Sequence, residues 1–171
     1  MAFFKKGKKK GTIVYKINYE ALSHVHKGME LASQGFYDQA EAEFNTALRI
    51  EPQTTEAHYG LGLIFQQKGM LDTAYGHYKQ AVEIDPVNTD AIFNMGFIQY
   101  MRKDFDDAIK LFELLKQLTP EDPQVFLNLG SVYLSKGNPK EAIKVLEKAL
   151  QLDPNYAKAK ILMAEAKQQS K

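Results

Sequence analysis

The chain has no cysteine. That excludes a disulfide framework, a thiolate nucleophile and a cysteine-ligated metal centre. No stretch approaches the roughly 18 consecutive apolar residues that a membrane span needs. A glycine-rich phosphate loop after a strand is missing, and so is the Gly-x-Ser-x-Gly signature of a nucleophile elbow. Residues 1–16 hold no acid, while they carry Lys5, Lys6, Lys8, Lys9, Lys10 and Lys16. The net charge of +1 therefore conceals a basic head on a body that is acidic by five charges. The head does not read as a secretory signal, because "TIVYKI" is too short for an apolar region and lysines stand on both sides of it. What remains is an ordinary water-compatible composition, 44% hydrophobic and 25% charged over 171 residues, enough for one sizeable core.

What is present is repetition. Pro52, Pro86, Pro120 and Pro154 stand 34 residues apart with no insertion or deletion between them. Gly28, Gly62, Gly96 and Gly130 keep the same step, as do Ala40, Ala74, Ala108 and Ala142. A large residue recurs at Phe44, Tyr78, Phe112 and Leu146, and a further column runs Ala47, Ala81, Leu115, Ala149. A fixed period of this length marks a repeat architecture.

Each period divides into two helices. Asn88 is placed to cap a helix over Thr89–Met101, with Asp90 where the helix dipole favours negative charge. Asp122 can cap the next, and Pro123 occupies a first position that needs no N–H. Gly35, Gly69 and Gly137 stand where a left-handed residue ends a helix. Lys103 replaces that glycine in the third period, which predicts a less relaxed turn. In "KGNPKEA", Asn138 reads as the cap and Pro139 as the opening of a helix that runs to Leu152. The small glycine and alanine columns let paired helices approach closely, with the large column filling the space beside them.

The pattern Gly…Ala…Phe…Ala…Pro at this spacing resembles the tetratricopeptide repeat. The resemblance covers repeats at 21–54, 55–88, 89–122 and 123–156, followed by a terminal solvating helix at 157–169. It implies an all-α, right-handed α-solenoid of about four helix pairs plus that capping helix, with the first helix of each pair lining a concave groove. Residues 18–171 form this domain and residues 1–17 a basic, flexible lead.

The histidines are read as packing residues. His24 and His58 share a repeat column, so the His24-x-His26 pair is no metal site, and no cofactor is expected. Carboxylates such as Glu41, Glu43, Asp106 and Asp107 read as solvated outer positions. An enzyme is not expected. The first helices are more informative, because they are apolar nearly all round and must be covered on two sides. In the third repeat Ile92, Met95 and Gln99 belong to an inward face, whereas Phe93, Phe97, Tyr100 and Met101 recur on another. The second repeat supplies Tyr59 and Leu63, the fourth Leu127 and Leu134, and the first Val25 and Met29. The resemblance places this second face in the groove and implies that Asn94 and Asn128 hydrogen-bond the backbone of a ligand. Burial by neighbouring repeats is the alternative reading of the same stripe. Groove positions that in some relatives hold basic residues for a carboxylate hold Val25, Met29, Tyr59 and Phe93 here, so an apolar segment of a partner protein is the expected ligand.

Phe3 and Phe4 with Lys5, Lys6, Lys8, Lys9 and Lys10 form a candidate contact for an anionic membrane surface. A floppy solubilising tail explains them equally. Nucleic acid is not expected, because the acidic body offers no second basic face. Ile13, Val14, Tyr15 and Ile17 have the composition to dock in a groove, in their own chain or in a second copy. The reading is thus a cytoplasmic interaction scaffold or adaptor, peripheral to a membrane if the head binds one. Its alternatives are a chaperone for a hydrophobic secreted client and a self-assembling scaffold at a membrane surface.

Overall fold

The computed structural model describes the backbone of residues 5–9, 12–16 and 18–171, with side chains from Asn18 onward. It opens with β1 (Lys5–Lys9) and β2 (Thr12–Lys16), then α1 (Tyr19–Ser33), α2 (Tyr37–Ile50), α3 (Thr55–Gln67), α4 (Leu71–Ile84), α5 (Thr89–Met101), α6 (Phe105–Leu118), α7 (Pro123–Ser135), α8 (Pro139–Leu152) and α9 (Ala157–Gln169). The body is an all-α solenoid of paired helices closed by α9. The chain divides into two compact units, one ending at Ala91 and one running from Ile92 to Lys171.

The strands lie in the lead that the sequence reading left flexible. They pair antiparallel, with Lys5 opposite Lys16, Gly7 opposite Val14 and Lys9 opposite Thr12. The run Thr12–Lys16 is rich in β-branched and aromatic residues, which suits a strand. The backbone of Ile13 and Tyr15 pairs with that of Lys8 and Lys6, and Ile17 lies outside the described residues.

Caps and turns set the helix limits. Asn88 Oδ1 accepts from the Ala91 N–H at 2.9 Å, and Asp122 Oδ1 from the Gln124 N–H at 2.9 Å, with Pro123 in the first turn. Asn138 departs from expectation. It occupies the position before α8, but its side chain makes no capping hydrogen bond. The three turn glycines have φ of +81° (Gly35), +73° (Gly69) and +83° (Gly137). Lys103 is forced into the same region at +65°, the single non-glycine residue there among those described. A Cβ in that conformation meets the neighbouring carbonyl. Lys103→Gly is therefore expected to stabilise the protein by up to about 1 kcal/mol, net of glycine's extra freedom when unfolded. Urea unfolding checks this, and an unchanged or lower midpoint would refute it.

Inside each pair, the glycine column is a seat for the large column. An added Cβ on Gly28 would lie 2.8 Å from the Phe44 ring, on Gly96 3.1 Å from Phe112, and on Gly130 2.6 Å from Leu146. Tyr78 covers Gly62 in the same way and donates its hydroxyl to Gln66 Oε1 at 2.8 Å. Phe44 has a second seat, Gly60 on α3. Ion pairs staple successive repeats within each unit. Lys68 reaches Asp38 at 2.8 Å and Glu41 at 2.7 Å, and Lys136 reaches Asp106 at 2.5 Å from the equivalent position two periods later. At the chain's end α9 buries Ala159, Met163 and Ala166 in one cluster with Phe126, Leu127 and Leu134 of α7 and Leu146 of α8.

Candidate functional site

In the first unit the exposed apolar face lies on α1 and α3. Met29 is 41% exposed and Leu63 39%, too much for core residues of their size. With Tyr59 they border a cavity of about 410 Å³, whose wall is completed by Phe44 and whose rim carries Ser33 and Gln67. Among the described residues no charged side chain lines it. Gly60 sits in the wall, in the column that holds His26, Asn94 and Asn128 in the other repeats. The missing side chain lets the Phe44 ring lie against the Gly60 backbone, where a Cβ would come within 2.4 Å of it, and both residues line the cavity. Such a concave, mostly apolar recess with a few polar groups at its edge is the usual form of a ligand site.

The second unit presents the corresponding face of α5 and α7. Phe97 is 40% and Met101 56% exposed. Phe93 is half-buried, edge-on to Phe112 with ring centroids 6.0 Å apart. The Tyr100 hydroxyl meets Ser135 Oγ at 3.1 Å, joining α5 to α7. Ile92, Met95 and Gln99 are buried, as the inward face requires. Asn94 and Asn128 are both half-buried. Asn128 Oδ1 accepts from Gln124 Nε2 at 3.0 Å, and Gln124 in turn accepts from the Tyr156 hydroxyl. The Nδ2 of Asn128 is buried and has no partner among the described residues. A polar atom so placed costs free energy until something accepts its hydrogen.

Three expected groove residues lie elsewhere. Val25 is buried in the cluster that holds Phe44, Leu61 and Ile64. Leu127 and Leu134 are buried in the cluster that includes α9. Helix α9 covers the face on which those leucines stand. Spacing along a helix could not tell this face from the open one. Phe3, Phe4 and Lys10 lie outside the described residues, and of Lys5, Lys6, Lys8 and Lys9 only the backbone is described.

His24 and His58 pack against the second helix of their pairs, each through a ring contact, while His26 is exposed. His58 Nδ1 faces His77 Nδ1 at 3.3 Å, and His77 stacks on Phe65 with centroids 5.4 Å apart and planes 4° from parallel. Burial lowers the pKa of both imidazoles, and for His77 the charge of a protonated His58 lowers it further. His24 instead meets Glu43 Oε2 at 2.6 Å, and Lys27 meets Glu43 Oε1 at 2.5 Å. The Glu43 carboxyl is held below its ordinary range chiefly by its hydrogen bond to Lys27. The signal for both pairs was a constant offset: 24 to 43 and 58 to 77 are the same two columns. Among the described residues no three His, Cys, Asp or Glu side chains converge as metal ligands, and no helix is long and apolar enough to cross a membrane.

Models of the tetratricopeptide repeat match residues 65–127 and 123–156, and a model of the TPR repeat matches residues 28–69. No curated protein sequence matches the chain. Among solved structures, one from a functional characterization of Pseudomonas aeruginosa PilF is 28% identical, covers 89% of this chain and 69% of its own, and superposes with a TM-score of 0.76. A crystal structure of MamA protein is 22% identical over 88% of this chain and 82% of its own, with a TM-score of 0.81. A crystal structure of the APC/C hetero-tetramer Cut9–Hcn1 contributes a chain of 23% identity that covers 85% of this one and 29% of its own, with a TM-score of 0.74.

Proposed function

Since the chain belongs to the tetratricopeptide repeat family, a family of protein-interaction scaffolds, we propose that it is a non-catalytic adaptor binding an apolar segment of a partner protein on the open faces of its first helices. The observation that carries the reading is the uncharged cavity beside Met29, Tyr59 and Leu63, with Gly60 in its wall. A hollow of that size admits one or two large apolar side chains, and burying each contributes roughly 1.5–3 kcal/mol. Phe97 and Met101 offer a second apolar face in the other unit. Asn128 supports the same reading, because its buried, unpartnered Nδ2 gains a hydrogen bond if the side chain turns toward the carbonyl of a bound segment.

A displayed library of random peptides, selected against the full chain, tests the proposal. Enriched peptides are expected to share one or two apolar anchors and to lack a common charge. Leu63→Glu should then weaken binding by about tenfold or more while the helical circular dichroism is unchanged. Phe97→Glu should act in the same way on ligands that use the second face. A selection that returns only charged sequences would overturn the apolar reading. Unfolding of Leu63→Glu and Phe97→Glu alike would show that both faces are core.

A further inference from the structure

The two columns that hold His58 and His77 carry a pattern along the chain. The pair is His24 with Glu43 in the first repeat, His58 with His77 in the second, Ile92 with Leu111 in the third and Phe126 with Val145 in the fourth. The same junction between paired helices is thus ionic, then imidazole on imidazole, then apolar twice. Only the second repeat places two like titratable rings against each other.

In the neutral state such a pair is a hydrogen bond. One Nδ1 carries its proton and donates, and the other accepts with its lone pair. A second proton on either ring's free nitrogen leaves a charge in a half-buried site. A proton on the accepting Nδ1 turns the contact into two donors face to face at 3.3 Å. Two charged rings at that distance repel, with little water between them to screen the repulsion. The pair cannot turn outward freely, because His77 is stacked on Phe65 of α3.

The surrounding charges do not rescue it. From α2, Glu41 favours a charged His77, but Lys68 of α3 already holds that carboxylate at 2.7 Å and Asp38 at 2.8 Å. Lys68 itself stands 5.9 Å from the Phe65 ring, the ring on which His77 is stacked. The Pro52 carbonyl favours a protonated His58, yet burial outweighs it. From α1, Lys27 is paired with Glu43. Glu56, also on α3, is raised by burial, with a smaller part from Asp85, and so responds to acid in the opposite sense near the carboxylate range.

We propose that the His58–His77 pair is an acid-sensitive latch, which holds α3 against α4 at neutral pH and lets them separate when the solution is mildly acidified. The sign follows from both rings resisting protonation in the fold. Stability from this contact is complete above the unfolded histidine value of about 6.5 and is lost as pH falls below it. Because α3 also supplies Tyr59, Gly60 and Leu63 to the cavity, opening the latch loosens one wall of it. That last consequence rests on the groove reading, and the loosening itself does not.

Hydrogen exchange of the full chain, with no partner present, tests the latch. Protection factors corrected for intrinsic exchange are measured at pH 7.5 and 5.5. Peptides from α3 and α4 should lose about tenfold or more of their protection at the lower pH, and peptides from α7 and α8 should lose far less. The double variant His58→Ile with His77→Leu, which copies the third repeat, should remove the difference. His77→Gln, which cannot take up a proton, serves the same purpose should the double variant misfold. Equal losses in α3–α4 and α7–α8, or the same loss in the variants as in the parent, would overturn the proposal.

Discussion

Phe44→Ala is expected to destabilise the first unit by about 3–5 kcal/mol, the range for removing a buried aromatic ring. The reason lies in the ring's seats. Phe44 is 1% exposed, and both Gly28 of α1 and Gly60 of α3 press against it. Its loss leaves a hole walled partly by the backbone at Gly28 and Gly60, which cannot swing inward as a side chain would, and partly by Val25, Leu61 and Ile64. One ring also joins two successive repeats, so the loss falls on the contact within a pair and on the contact between pairs together. Amide protection of α1, α2 and α3 should fall steeply, and the urea midpoint with it. A loss below about 1 kcal/mol would mean that the helices close over the gap and that the glycine seats are not rigid.

Removal of residues 157–171 should have an effect of similar size in the second unit. Without α9, Phe126, Leu127 and Leu134 lose the cluster they share with Ala159, Met163 and Ala166. Each exposed side chain would cost roughly 1.5–3 kcal/mol. An uncapped solenoid end also offers its apolar face to another copy, which is why terminal repeats carry a polar outer surface. The truncated chain should therefore melt earlier and show a rising mass with concentration in light scattering. Ile161→Lys is the matching control. Ile161 is 67% exposed, so its replacement should change stability by less than about 0.5 kcal/mol. A truncated chain that stays monomeric and melts with the parent would show that α9 is no cap.

Much of the fold could be read from the period alone. Thr89–Met101 and Ala157–Gln169 are helices at the residues the repeat pattern marks, and Gly35, Gly69 and Gly137 turn left-handed, with Lys103 made to follow them. These features depend on local rules, a cap, a turn residue, a proline, and local rules repeat with the sequence. The site was less legible because it depends on which repeat is next to which. Leu127 has the same helical position as Phe93, yet the one is buried beside α9 and the other is half-open. At Gly60 the column that carries Asn94 and Asn128 has no side chain, and the Phe44 ring fills the space that one would take. The His58–His77 contact needed a comparison across two columns at once. The β1–β2 pairing falls outside the period, where the repeat offers no guidance.

The graded character of the helix-pair junctions also bears on the order in which the chain acquires structure. A stack of repeats folds outward from whichever pair forms at least cost. Seven residues of α7 are buried against three of α1, and the fourth pair meets through Phe126 and Val145, where the first meets through His24, Glu43 and Lys27. Apolar contacts need no desolvation of charge as they close. The C-terminal pairs therefore bury more apolar surface as they close than the first pair does, and a perturbation that opens single pairs is expected to open the first before the fourth.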